Sequence, residues 1–259
     1  MRAALPDDFL RLPLAHRALH DAGARRPENS LPAIRAAIRE GYGIEIDLQP
    51  SADGQAMVFH DHDLDRLTYE TGPVAARSAA ELQRIRVRSS PEPIPTLRQV
   101  LAEVAGRVPL LIEIKDQSGV FGPTNGVLEA AAATALQGYE GPVAVMSFNP
   151  SAVGHMARLA PQIARGLTTY AFPPEDFPGE IGPELEAHRR ALAAIADYDL
   201  VEASFISHHW RDLDRPRVAE LKGQGAAVLC WTIRSPEQEA EARRVAQNIT
   251  FERYLAARP

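Results

Sequence analysis

The chain has 259 residues, 45% of them apolar and 24% charged, with a net charge of −6, enough for one large α/β domain with a full core. It has no basic tract and no aromatic-basic interleaving, so nucleic acid is not an expected partner. Its one cysteine, Cys230 in AAVLCW, excludes an intrachain disulfide, and the N-terminal MRAALPDDFLRLPLAHRA holds no long apolar stretch, so no signal peptide, membrane span or secreted disulfide scaffold is expected and the cytoplasm is the expected location.

In chain order, strands are expected at 13–17 (PLAHR), 44–48 (IEIDL), 110–114 (LLIEI), 143–147 (VAVMS), 165–169 (RGLTT), 199–205 (DLVEASF), 227–233 (AVLCWTI) and 248–251 (NITF). Helical patterns lie between them. SLPAIRAAIREG opens on an N-cap Ser30 with Pro32 in the first turn and stops at Gly41. TLRQVLAEVAG repeats the scheme with Thr96 and Gly106, and further helices are expected at 123–137, 151–160, 183–197, 214–224 and 235–245. Ser235 with Gln238 three residues on has the spacing of a capping box. Strands alternating with helices in this way predict a (β/α)8 TIM barrel.

The run AMVFH at 56–60 is one strand too many. A turn centred between Asp53 and Gly54 makes it a hairpin return and sets Asp47 opposite His60. Residues 61–95, with four prolines and one short helical piece at 78–86, then form an insertion after the second strand, with no second core. The whole of 1–259 reads as a single barrel domain.

Side chains alternate along a strand, so Glu45 and Asp47 share a face, as do Glu113 and Lys115. Polar residues at the carboxyl ends of barrel strands are where sites form. Taken singly, each carboxylate reads equally as a rim charge paired with arginine. Taken together, Glu45, Asp47 and Glu113 would repel one another without a cation between them, and an all-oxygen set suits a hard divalent ion, Mg²⁺ or Ca²⁺. His16 and His60 at the same end suit an acid–base pair on a phosphate. Arg17 and Lys115 suit its oxygens, and Lys115 gains weight because the only other lysine is Lys222. Phe148 and Trp231 read either as walls of a substrate pocket or as core. His62, His155 and His188 read as solvated, while His20, His208 and His209 stay open. Asp61, Asp63 and Asp65 lack the glycine and distal glutamate of a calcium loop. No G-x-S-x-G elbow supports a serine hydrolase.

AHRALHD with PENS, EIDLQPSADGQAMVFHDHDLDRLTYETG, IPTL and LLIEIK, followed more loosely by SFNP and CWTIRSPEQ, give the chain a resemblance to the glycerophosphodiester phosphodiesterase family of TIM barrels. The resemblance implies Glu45, Asp47 and Glu113 as metal ligands, His16 and His60 as the acid–base pair, and Arg17 and Lys115 on the phosphate. It implies hydrolysis of a glycerophosphodiester to glycerol 3-phosphate and an alcohol. Lyase-type or lysophospholipase D-like chemistry on the same barrel, and a non-catalytic phosphate-binding barrel, are the alternatives. Three positions depart from the family pattern: Ala18 stands where glycine is usual, Arg234 where asparagine is usual, and Glu252 where aspartate is usual. Head group, choice of ion and oligomeric state are not legible.

Overall fold

The structure is a computed structural model that describes residues 2–179 and 181–258. Its strands are β1 (Leu14–Ala15), β2 (Gly43–Pro50), β3 (Ala56–Val58), β4 (Leu110–Ile114), β5 (Val143–Ser147), β6 (Ala164–Thr169), β7 (Phe205–His209), β8 (Ala227–Ile233) and β9 (Asn248–Phe251). All but β3 are parallel neighbours, and β1 closes the ring by pairing with both β9 and β2. The fold is therefore an eight-stranded (β/α)8 barrel among the described residues, with β3 folded back antiparallel on β2.

The helices are α1 (Asp8–Arg11), α2 (Leu31–Glu40), α3 (Ala79–Leu82), α4 (Leu97–Val104), α5 (Val127–Leu136), α6 (Pro150–Leu159), α7 (Pro183–Ala193), α8 (Pro216–Gly223) and α9 (Pro236–Ala242). Local chemistry sets their ends. Ser30 accepts from Ala33 N to start α2, and Gly41 stops it in the left-handed region. Thr96 and Gln99 form a reciprocal capping box at α4. The box expected at α9 is half made, because Ser235 accepts from Gln238 N while Gln238 Oε1 turns to Arg234 N. None of these helices is long and apolar enough to cross a membrane.

The apolar residues form two shells. Ile44, Ile46, Leu48, Ile112, Ile114 and Val145 face outward from the barrel onto the helices. Leu14, Leu111, Ala144, Met146, Phe205 and Leu229 fill the barrel's lower interior. The short α1, which the sequence pattern did not reveal, adds Phe9 to that interior shell. It is pinned by Asn248 Nδ2, which donates to Phe9 O and Leu12 O, both at 2.7 Å. Gly166 on β6 makes room for Phe205, since a Cβ there would lie 2.4 Å from the ring.

Three expectations are corrected. DLVEASF is not a strand. Its backbone closes local turns, Val201 N to Asp197 O and Ala203 N to Tyr198 O, and the strand starts only at Phe205. The hairpin register also shifts by one residue. Ser51 N bonds Gln55 O, leaving a three-residue loop with Gly54 at φ 70°, so Asp47 O accepts from Phe59 N and Asp47 faces Phe59 rather than His60. Met57 and Phe59 instead seed an apolar cluster with Leu64, Val74, Leu82 and Ile94, which gives the insertion the small core the sequence reading did not expect.

Candidate active site

Above the apolar layer the barrel interior turns polar. Alternation along β2 carries Glu45 and Asp47 inward, and the β2–β4 register sets Glu113 level with Asp47. Each of the three carboxylates offers an oxygen within 4.8 Å of the others, and all three are buried. Lys115 Nζ lies 3.0 Å from Asp47 Oδ1 and 2.7 Å from Glu113 Oε1. Arg17 Nε lies 3.7 Å from Asp47 Oδ2, and the Arg17 backbone N donates to Glu45 Oε2 at 2.8 Å. Asn29 Nδ2 completes the shell by donating to Asp47 Oδ2 at 2.8 Å. The two cations expected on a phosphate are thus anchored on the carboxylates themselves.

Three buried anions face two cations, and the imbalance decides which carboxylate bears the cost. Burial works against the charge of Asp47, but Lys115, His60 and Arg17 hold it well below the ordinary carboxylate range. Burial, then the charges of Asp47 and Glu113, push Glu45 well above that range. Burial also raises Glu113, with Lys115 opposing. One positive charge too few among oxygen donors is the chemistry of a hard-cation site, and the donor set fits Mg²⁺ or Ca²⁺.

His16, following β1, and His60, following β3, both line a cavity of about 200 Å³ over these carboxylates. Each ring is tied by the same nitrogen. His16 Nδ1 lies 2.8 Å from Glu252 Oε2, and His60 Nδ1 lies 2.6 Å from Asp61 Oδ1. A carboxylate acceptor makes Nδ1 the protonated nitrogen and leaves Nε2 as the basic one. Burial lowers both histidine pKa values, with Glu252 opposing at His16 and Asp47 at His60. Both rings are therefore neutral near pH 7. Asp61 stays ionised, because hydrogen bonds from Arg66 and His60 outweigh its burial and pull it down to about 2.

Phe148 and Trp231 also line the cavity, with ring centroids 5.3 Å apart and edge-on. Phe121, Tyr170 and Phe172 extend this aromatic wall. A more open cleft of about 590 Å³ continues from His60, Glu113, Lys115 and Phe148 between the insertion and the loop after β4. His208 lies away from the cavity, buried with Nδ1 2.7 Å from Thr169 Oγ1, while His209 stacks edge-on to Trp231. His20 Nε2 lies 3.5 Å from Glu252 Oε2, behind His16.

A model of the glycerophosphoryl diester phosphodiesterase family matches residues 16–249. The chain belongs to that family. Members of this phosphodiesterase family are phosphoric diester hydrolases. Glycerophosphodiester phosphodiesterase 1 of Bos taurus is 39% identical over 100 residues, which span 35% of this chain and 29% of that protein. The glycerophosphodiester phosphodiesterase of Caldanaerobacter subterraneus is 30% identical over 54% of this chain and 60% of its own length. Among solved structures, an Oleispira antarctica phosphodiesterase in complex with the product sn-glycerol-3-phosphate superposes with a TM-score of 0.74 at 24% identity, covering 93% of each chain. A glycerophosphodiester phosphodiesterase of Thermotoga maritima does so with a TM-score of 0.66 at 20% identity, covering 92% of each.

The departures of this phosphodiesterase-family barrel from its pattern have physical settings. Ala18 sits at φ 66°, in the left-handed region that favours glycine, and its N donates to Glu45 O at 2.9 Å. Arg234 and Glu252 depart together and pair, Arg234 Nε donating to Glu252 Oε1 at 2.7 Å. Reasoning from the sequence missed the residues that hold the site: Glu252 and Asp61 on the histidines, Asn29 on Asp47, and Glu28 on Arg17 at 2.7 Å. PENS carried a signal for the last two, since a polar tetrad just before a helix has to satisfy something.

Proposed function

We propose that this chain hydrolyses glycerophosphodiesters to glycerol 3-phosphate and an alcohol, by acid–base catalysis between His16 and His60. The observation that carries the reading is the pairing of two carboxylate-anchored imidazoles over one set of buried carboxylates and cations. Glu45, Asp47 and Glu113 would hold one divalent cation, Mg²⁺ or Ca²⁺. When bound, it supplies positive charge that polarises the phosphate and offsets its growing negative charge.

The chain's own residues do the rest. One Nε2 takes the proton of the nucleophile, either water or the substrate's glycerol 2-hydroxyl, and the opposite imidazole, once it has taken a proton from solvent, passes that proton to the leaving oxygen. Arg17 and Lys115 neutralise phosphate oxygens beside the carboxylates. Phe148 and Trp231 wall the pocket, and the open cleft beside His60 suits alcohols of varied size. That a neighbouring barrel holds sn-glycerol-3-phosphate supports the choice of product. We read 1–259 as one domain. The cytoplasm, where a free thiol persists, suits the buried Cys230.

The test is a panel of glycerophosphodiesters assayed with EDTA and with each metal added back, followed by ³¹P NMR. Release of glycerol 3-phosphate that EDTA abolishes, and a ~10²–10⁴-fold loss of turnover in His16→Ala and His60→Ala, is the expected result. Accumulation of a cyclic phosphate would assign the lyase alternative. Tight binding of glycerol 3-phosphate with no turnover of any diester would assign the non-catalytic one.

A further inference from the structure

The insertion after β3 brings one side chain back over the barrel mouth. Arg66 spreads its guanidinium between two carboxylates that belong to different parts of the chain. Its Nε donates to Asp61 Oδ2 at 2.6 Å and its Nη2 to Asp61 Oδ1 at 2.8 Å. The same Nη2 donates to Glu28 Oε1 at 2.8 Å, and Nη1 donates to Glu28 Oε2 at 2.9 Å. Each carboxylate then holds one residue of the site: Asp61 the Nδ1 of His60 at 2.6 Å, and Glu28 the Nη1 of Arg17 at 2.7 Å. An unbroken path of hydrogen bonds thus runs from His60 on one side of the cavity to Arg17 on the other, with Arg66 at its centre.

Isolated surface ion pairs contribute little. This one differs in geometry, because both partners are engaged by two nitrogens each and are themselves largely covered, with side-chain exposures of 13% for Glu28 and 24% for Asp61. Without Arg66, two carboxylates would face each other across the gap. Each would be free to turn away from the residue it orients.

We propose that Arg66 is a positioning residue. Through Asp61 it fixes the ring and tautomer of His60, and through Glu28 it fixes the guanidinium of Arg17. The insertion and the barrel therefore complete the phosphate-facing site jointly. This inference rests on the proposed phosphodiesterase reading for its kinetic arm only.

The experiment uses the full chain with Arg66→Met, Arg66→Lys, Asp61→Asn and Glu28→Gln. With a glycerophosphodiester the parent protein turns over, Arg66→Met is expected to lose ~10–100-fold in kcat/KM, the range for partners that orient a site ligand. Arg66→Lys should recover little of it, because one ammonium cannot fork two carboxylates. Added guanidinium ion should rescue Arg66→Met and not Asp61→Asn. Asp61→Asn should act mainly on kcat and Glu28→Gln mainly on KM. In metal-free protein, long-range ¹H–¹⁵N NMR should show His60 as the Nδ1–H tautomer, and a tautomer mixture in Arg66→Met and Asp61→Asn alone. Unchanged kinetics in Arg66→Met, or an unchanged His60 tautomer in a folded Arg66→Met or Asp61→Asn, overturns the proposal. If Arg66→Met does not fold, identical kcat and KM effects from Asp61→Asn and Glu28→Gln overturn it. A parent protein inert on every diester removes the enzymatic reading but leaves the tautomer result to decide this one.

Discussion

His16 Nδ1 and Glu252 Oε2 meet at 2.8 Å across 236 residues of sequence, joining the end of the first barrel strand to the end of the last. Ring closure makes the contact possible, since β1 and β9 pair in parallel with Ala15 level with Phe251. The arrangement gives His16 the same Nδ1 anchor that His60 receives from its own neighbour, Asp61.

Glu252→Gln should therefore affect one histidine and leave the other. Burial lowers the His16 pKa and the Glu252 carboxylate raises it, so removing that charge lowers it further. The limb of the pH–rate profile that reports His16 should move to lower pH, with turnover reduced ~10–100-fold. Stability gives an independent sign. Burial opposes the Glu252 charge, but the His16 hydrogen bond, with His20 3.5 Å away and Arg234 beside it, holds its pKa well below the ordinary 4.5. Its stabilisation is present above pH 4.5 and is lost as pH falls through the lowered value. The gap in melting temperature between parent and Glu252→Gln should close on acidification. A gap that widens would refute the pairing.

The carboxylate trio should respond unequally to neutralisation in EDTA at pH 7. Glu45 is raised by burial and by its two acidic neighbours, so its ionised form opposes folding above the ordinary value of 4.5. Glu45→Gln should raise the melting temperature, by about 2–4 °C per kcal/mol relieved. Asp47 is held low by Lys115, His60 and Arg17, so Asp47→Asn should lower it. Mg²⁺ or Ca²⁺ should stabilise the parent by mass action and stabilise neither variant to the same degree. Differential scanning calorimetry checks all of these, and equal shifts for the two variants would dismiss the charge imbalance.

Gly166→Ala should cost about 1–3 kcal/mol, the range for overpacking a closed interior. The added methyl would lie 2.4 Å from the Phe205 ring across the β6–β7 pairing. Phe205→Leu in the same chain should recover part of the loss. Urea denaturation measures both, and additive losses in the double variant would place the strain elsewhere.

Much of the barrel was legible because its strands are short buried runs with clear boundaries: LLIEI, VAVMS, AVLCWTI and NITF form strands at the expected residues. The convergence of Glu45, Asp47 and Glu113 was legible for the same reason, since a period of two fixes which face a side chain takes. DLVEASF misled because the backbone of residues 201–203 bonds back to residues 197–199 in local turns, which composition does not reveal. The hairpin misled because a two-residue and a three-residue loop both accommodate Asp53-Gly54, and one residue of difference turns every side chain over.

By itself, then, the chain determined the alternation of elements, the inward face of each strand and the pooling of acidic oxygens in one layer, all of which follow from local periodicity and burial. Only closure of the ring and the return of the insertion decided what holds those groups in place. Glu252 reaches His16, Arg66 spans Asp61 and Glu28, and Lys115 settles between Asp47 and Glu113. His16 and Glu252, Arg66 and Glu28, and Lys115 and Asp47 lie far apart in sequence. No local pattern encodes their contact, and the free energy that selects it comes from satisfying buried charge in three dimensions.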